Sequence, residues 1–141
     1  MTAEDNKALL EQYLNDIWVG GEPEAIERFV APDYQRHMSP TAPSLDSATQ
    51  IERIKGFRAA FPDIVIDLQH VIAGDEGVAF HATMRGTHTG EFLGIPPTGK
   101  TFEIHLVDFM WIEDGRIVEQ WGGPDMLDMA KQLGASITPG E

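Results

Sequence analysis

Phe61-Pro62-Asp63-Ile64-Val65-Ile66-Asp67-Leu68-Gln69 is where the hydrophobic period of this chain changes. Upstream, apolar side chains recur every three to four residues. Downstream they alternate, with Ile64, Ile66 and Leu68 on one side and Val65, Asp67 and Gln69 on the other. A period of 3.6 marks helices buried along one stripe, and a period of 2 marks strands with one face on a core. Pro62 separates the two regimes because it cannot continue a helix. The chain is expected to be helical first and then sheet.

Working back from that boundary, Ile51, Ile54, Phe57 and Phe61 form the buried edge of a helix from about Ser47 to Ala60. Residues 38–46 are a loop rich in turn formers. A short helix opens at Pro23, turns Ile26, Phe29 and Val30 inward and stops before Pro32. Asp33 to His37 is expected to be a brief extended piece. The first helix carries Leu9, Leu10, Tyr13, Leu14, Ile17 and Trp18 on one stripe and ends at Gly20-Gly21.

Working forward, Gly74-Asp75-Glu76-Gly77 is a turn. Strands are expected over 78–90, 101–112 and 116–122, with Glu113-Asp114-Gly115 as the hairpin turn between the last two. Pro124 opens a last helix with Met126, Leu127, Ala130 and Leu133 inward, ended by Gly134. Residues 135–141 are expected to fray. Helices segregated from a meander predict one α+β domain over 1–141. Its curved antiparallel sheet wraps over the N-terminal helices as a cone, and an enclosed pocket on the concave side would suit a small ligand.

Composition narrows the function classes. The chain has 141 residues, 42% of them hydrophobic, and a formal net charge of −13. That charge repels phosphate backbones and anionic lipid, so neither nucleic acid nor membrane is an expected partner. With no cysteine there is no disulfide framework, thiolate zinc site or cysteine nucleophile. The N-terminus lacks a basic segment followed by an apolar run, and no stretch approaches a membrane span. A cytoplasmic protein is expected. The five histidines show no HxH or HExxH spacing, so no metal is expected. No P-loop, GxGxxG or GxSxG motif is present, so no nucleotide cofactor or serine hydrolase chemistry is expected.

One long motif is specific. Gly86-Thr87-His88-Thr89-Gly90-Glu91-Phe92-Leu93-Gly94-Ile95-Pro96-Pro97-Thr98-Gly99-Lys100 resembles the GTHxGEFxGIPPTGK loop of SnoaL-like polyketide cyclases. The likeness extends back through Ala60-Phe61-Pro62-Asp63, Gly74-Asp75 and His37 after Tyr34. It runs forward through Asp108, Asp114-Gly115-Arg116-Ile117-Val118-Glu119, Trp121, Asp125, Leu127 and Gln132-Leu133-Gly134, and so covers nearly the whole chain. The resemblance implies a nuclear-transport-factor-2-like or ketosteroid-isomerase-like α+β cone, and a homodimer formed through the sheet. It also implies an enzyme without cofactor that closes a ring by intramolecular aldol condensation on an aromatic polyketide ester. Relatives with this fold isomerise, open epoxides, hydroxylate or only bind, so the fold alone does not give the reaction. The chain departs from the pattern where the cyclases carry their acid/base Asp after the last-strand Trp. Gly122 stands at that position, leaving Asp108, Asp125 or, with a short slip of register, Glu119 to act in its place.

An aldol closure needs a base beside a carbonyl and a donor for the developing oxyanion. Asp108 is the leading candidate because it is the single polar residue on the face Phe102-Ile104-Leu106-Asp108-Met110-Ile112. His105 on the opposite face and Glu119 are the other candidate catalytic groups. Gln120 is expected to share a face with Val118 and to point into the pocket as a donor, while Glu119 shares one with Ile117 and Trp121. Trp18 and Trp121 are expected to line the pocket, with Trp121 able to stack on a flat ligand. His37 at the cone mouth, His88 and Phe92 complete the expected substrate-binding set, with bracing of the glycine-rich loop as the alternative role of His88. His81 and Arg85 are read as sheet-contact or solvent residues. The expected ligand is a small hydrophobic or aromatic molecule.

Overall fold

The computed structural model describes residues 2–136. Helix α1 spans Ala3–Tyr13 and is closed at its start by a capping box between Thr2 and Asp5. It runs on into a π-helical turn, Leu14–Val19, whose wider repeat ends when the Gly20 N–H bonds to the Asn15 carbonyl. Gly21 then takes φ +74° and releases the chain. The expected second helix is a 3₁₀ segment, Pro23–Arg28. Helix α2 spans Ser47–Ala60, capped by the Asp46 side chain on the Thr49 N–H, with the boundaries expected from the sequence.

Five strands follow one another as β1 (Val30–His37), β2 (Val65–Ala73), β3 (Gly77–Thr87), β4 (Thr101–Glu113) and β5 (Arg116–Pro124). Helix α3, Met126–Gln132, closes the described chain. The strands form one sheet in the order β1-β5-β4-β3-β2. Helices before a curved, mostly antiparallel sheet make the expected α+β architecture. No helix among the described residues is long and apolar enough to cross a membrane.

Four details differ from the expectation. The extended piece at Asp33–His37 is part of a full eight-residue strand, and β1 pairs parallel with β5. Pro32 is tolerated there because β1 is an edge strand whose register shifts between Val30 and Gln35. The second difference is in β5. Trp111 pairs with Glu119 but Ile112 pairs with Ile117, so Val118 is the extra residue of a β-bulge. Alternation breaks there, and Ile117 and Gln120 are both buried. Gln120 therefore does not share a face with Val118, and Glu119 does not share one with Ile117. Third, Pro124 ends β5 and Asp125 caps α3, so Met129 faces the core while Leu127 is 53% exposed. Fourth, β3 ends at Thr87 instead of running to residue 90, because His88 and Gly90 turn into the glycine-rich loop. The expected fraying concerns residues 135–141, of which 137–141 lie outside the described residues.

The core sits between the inner sheet face and the helices. Every second residue of β4 from Phe102 to Ile112 is buried, as the alternation requires. Leu10, Tyr13, Ile17, Ile54, Phe57 and Phe61 meet them from the helical side. Burial of this set, at roughly 25 cal/mol per Å² of apolar surface, is the main force holding the sheet on the helices.

Candidate functional site

Strand pairing assembles a polar cluster inside this apolar shell. Asp108 on β4 stands opposite Gly122 on β5, and Arg36 on β1 stands opposite Gln120. All three polar side chains point inward and are no more than 5% exposed. Arg36 Nη2 donates to Asp108 Oδ2 at 3.1 Å and to the Gly122 carbonyl at 2.9 Å. Gln120 Nε2 donates to the same Oδ2 at 3.0 Å. The Tyr34 hydroxyl donates to Gln120 Oε1 at 2.6 Å, which fixes the amide orientation. The result is a chain Tyr34–Gln120–Asp108–Arg36.

Gly122 and Gly123 make this approach possible. They take φ +103° and +150°, and a Cβ on Gly122 would stand 2.4 Å from the Val107 carbonyl oxygen. A Cβ on Gly123 would lie 3.2 Å from Arg36 Nη2. The strand carries no side chain here because backbone and a guanidinium occupy the space. Position 122, where the resemblance expects a carboxylate, is directly across the ladder from Asp108. The acidic group stands on the neighbouring strand.

Burial raises the Asp108 carboxyl above its ordinary value, and the Arg36, Gln120 and Phe109 N–H donors restrain the rise. For Arg36, burial is the largest influence and works against the charge, but the adjacent Asp108 carboxylate together with Tyr34 and Tyr13 holds the guanidinium up. Asp108 Oδ2 takes two donors, whereas Oδ1 takes only the Phe109 N–H at 2.9 Å. Since a carboxylate oxygen accepts two hydrogen bonds, Oδ1 keeps one lone pair uncommitted.

The sequence-derived set divides over this frame. Asp108 and Gln120 lie together inside. Trp18 is buried on the helical side, edge-on to Phe57 with ring centroids 5.4 Å apart. His37, Glu119 and Trp121 gather on the other face of the β1–β5 edge. There the His37 ring stacks on Trp121 at 5.1 Å and its Nε2 lies 2.8 Å from Glu119 Oε2. His37 and Trp121 border a cleft of about 360 Å³ that also includes Met38 and Gly122, both contacts of Arg36. His105 is exposed on the outer sheet face, in a row with His81 and His70, at 2.8 and 3.1 Å between ring nitrogens. The sheet separates it from Asp108. His88 is fully buried and its Nδ1 meets Thr98, which ties the two ends of the glycine-rich loop together. Phe92 packs on Phe57 and Phe61. Asp125 caps α3 by accepting the Asp128 N–H.

Reading the sequence alone missed Arg36 and Tyr34, and with them the partners Asp108 lacked. It also missed Gln50 and Arg53 on α2. The signals were present. Tyr34 and Arg36 are two apart on one strand face, and Gln50 interrupts the buried stripe that continues through Ile54 and Phe57.

A larger cleft of about 510 Å³ lies near Gly86, Thr101 and Gln132. Its polar groups already satisfy one another, Thr87 with Asp63 and Gln132 with the Glu103 backbone. It holds no carboxylate set apart by burial, and the interior cluster is the stronger candidate. Among the described residues, no group of three or more His, Asp or Glu side chains is placed to hold a metal ion.

Comparison with known proteins agrees with this fold. Nogalonic acid methyl ester cyclase of Streptomyces nogalater is 27% identical over 121 residues, covering 81% of this chain and 87% of the relative. The structure of AclR, a candidate hydroxylase from Streptomyces galilaeus, superposes with a TM-score of 0.86 at 28% identity. It matches 98% of this chain and 87% of AclR. IdmH, a candidate polyketide cyclase from Streptomyces antibioticus, gives a TM-score of 0.79 at 30% identity over 92% of this chain and 99% of its own. The family model for SnoaL-like polyketide cyclases matches residues 8–133, and the chain belongs to that family.

Proposed function

We propose that this protein is a cofactor-independent cyclase that closes a ring by intramolecular aldol condensation on an aromatic polyketide ester. Asp108 is its acid/base. The observation that supports this most strongly is a carboxylate buried in an apolar interior, raised above its ordinary value, with one lone pair of Oδ1 uncommitted. In the reaction, Oδ1 takes a proton from the carbon between the aromatic system and a carbonyl. The resulting enolate carbon bonds to the ketone carbon of the side arm, and the new alkoxide recovers the proton from Asp108. Nothing is lost or gained, so no co-reactant is needed. Arg36 and Gln120 hold the carboxyl in place, and Tyr34 holds Gln120. The protein is further proposed to work as a homodimer through its outer sheet face, where Val107 and Trp121 are exposed.

A second reading, epoxide opening, gains support from the same cluster. That reaction wants an Asp, an Arg and a Tyr or amide deep in the interior. Asp108, Arg36, Tyr34 and Gln120 are such a group.

The deciding experiment is incubation with a tricyclic anthraquinone ester bearing an open methyl-ketone arm, and in parallel with an aryl epoxide. Ring closure by the wild type, reduced about 10²–10⁴-fold in Asp108→Asn, is expected for the cyclase. The Asn variant leaves Arg36 charged without a counter-ion, so the double variant Arg36→Met/Asp108→Asn serves as the folded control. Closure at the wild-type rate by Asp108→Asn removes the assignment. Diol formation without closure moves it to the second reading.

A further inference from the structure

Arg36 spends its charge on Asp108, but a second guanidinium, on half-buried Arg53 at the edge of the interior, does not. Arg53 on α2 lies over the rings of Trp18 and Phe57, with its Cζ 5.8 and 5.2 Å from their centroids. Its Nη1 donates to Gln50 Oε1 at 3.4 Å, and its buried Nη2 has no partner. Among the described residues Arg53 makes no ion pair. Gln50 is fully buried, and with its oxygen turned to Arg53 its Nε2 faces away, also unpartnered. The Tyr13 hydroxyl, on a residue 1% exposed, lies beside Gln50 and Trp18 but meets neither at full hydrogen-bond geometry. Three donors from α1 and α2 thus remain unmatched in one region.

Native proteins rarely leave buried donors unpaired, because each then forfeits the hydrogen bond it made with water. The charge balance points the same way. Arg36 and Asp108 offset each other inside, and half-buried Arg53 adds an unpaired cation at the edge of that interior, in a chain whose net charge is −13. Burial, reinforced by repulsion from Arg36, draws the Arg53 guanidinium down to about 10, which leaves it cationic at neutral pH. A water could satisfy the donors but not the charge. An anionic oxygen would satisfy both, and its aromatic carrier would find a wall in Trp18 and Phe57.

We propose that Tyr13, Gln50 and Arg53 form a subsite for the anionic oxygen, carboxylate or enolate, of a planar aromatic ligand. The subsite is distinct from the base at Asp108. It rests on reading the interior as a ligand site, but its test measures binding, so a failed ring-closure assay leaves that test standing.

The probes are anthraquinone-2-carboxylate and anthraquinone-2-carboxamide, which share a shape and differ in charge. Binding to the full chain is followed by tryptophan quenching and calorimetry at pH 7. The carboxylate is expected to bind the wild type about tenfold or more tightly than the carboxamide, the ratio a charged hydrogen-bonded pair supplies. Arg53→Met is expected to remove the preference while leaving the carboxamide affinity within about threefold, and Arg53→Lys to keep part of the preference. Because Arg53→Met replaces an unpaired, half-buried charge with an apolar side chain that can cover Trp18 and Phe57, its melting temperature is expected to hold or rise. A residue with only a structural role would lower it. Equal affinities in the wild type, no binding of either probe at millimolar concentration, or a preference that survives Arg53→Met would each overturn the subsite.

Discussion

The two faces of β4 carry the same kinds of side chain and treat them in opposite ways. On the outer face His105 joins His81 and His70 in a row open to solvent, and Glu103 stands exposed beside it. On the inner face a single carboxylate, Asp108, is enclosed with a guanidinium, an amide and a phenol. Within one protomer the outer row is open to water, so its contacts trade against water at little net gain. The inner cluster has no such exchange. Each of its members depends on the others, and their chemistry is set by burial. The comparison teaches that a count of polar residues on a strand says little until the faces are assigned.

Four measurements test this contrast. The largest effect is expected from Arg36→Met, which leaves Asp108 buried without its cation and should cost about 3–5 kcal/mol in denaturant unfolding. A loss below about 1 kcal/mol would mean that water reaches the carboxylate. Next is Gly122→Ala. A Cβ 2.4 Å from the Val107 oxygen at φ +103° should cost on the order of 2 kcal/mol or more. An unchanged melting curve would show that β5 can shift away from β4.

The third concerns pH. Burial raises the Asp108 carboxyl above the ordinary 3.8, so its base form develops only as pH climbs past that value. The kcat/KM profile for ring closure should therefore fall on the acid side with a limb displaced upward. A limb at the ordinary value would place the base elsewhere. Stability carries the matching sign. The folded state holds this proton more tightly than the unfolded chain, so the contribution is complete below the unfolded value and disappears as pH rises through the folded one. The smallest effect is expected from His81→Gln in the outer row. It should change stability by no more than about 0.5 kcal/mol and leave turnover unaltered. A large loss of turnover would connect the outer face to the reaction.

Much of this was legible in the sequence for physical reasons that can be named. Period 2 through Phe102, Ile104, Leu106, Met110 and Ile112 identified the inner face of β4 and isolated Asp108 on it. The stripe of α2 and the break at Pro62 located its ends. Arg36 was not legible because charged residues are presumed to face water, and only its partner two strands away makes burial tolerable. Gln120 was assigned to the interior on an alternation that the Val118 bulge breaks. Its inward direction holds for a different reason, since a bulge arises from pairing and not from local composition. Arg53 escaped notice because a helix of alternating polar and apolar residues gives no hint of which polar side chain lies over an aromatic ring.

The parallel pairing of β1 with β5 has a consequence for synthesis. Arg36 emerges from the ribosome 72 residues before Asp108 and 86 before Gly122. At about 5–20 residues per second, its guanidinium waits several seconds for a counter-charge. Until then β1 has no strand to join, because the meander that supplies its neighbour is made last. The nascent chain can settle its helices early, but the ion pair that neutralises its interior closes only when the sheet is complete. A chain that stops short of β5 would leave β1 without its neighbour and Arg36 without the Gly122 carbonyl, so the contact forms only once β5 has been made.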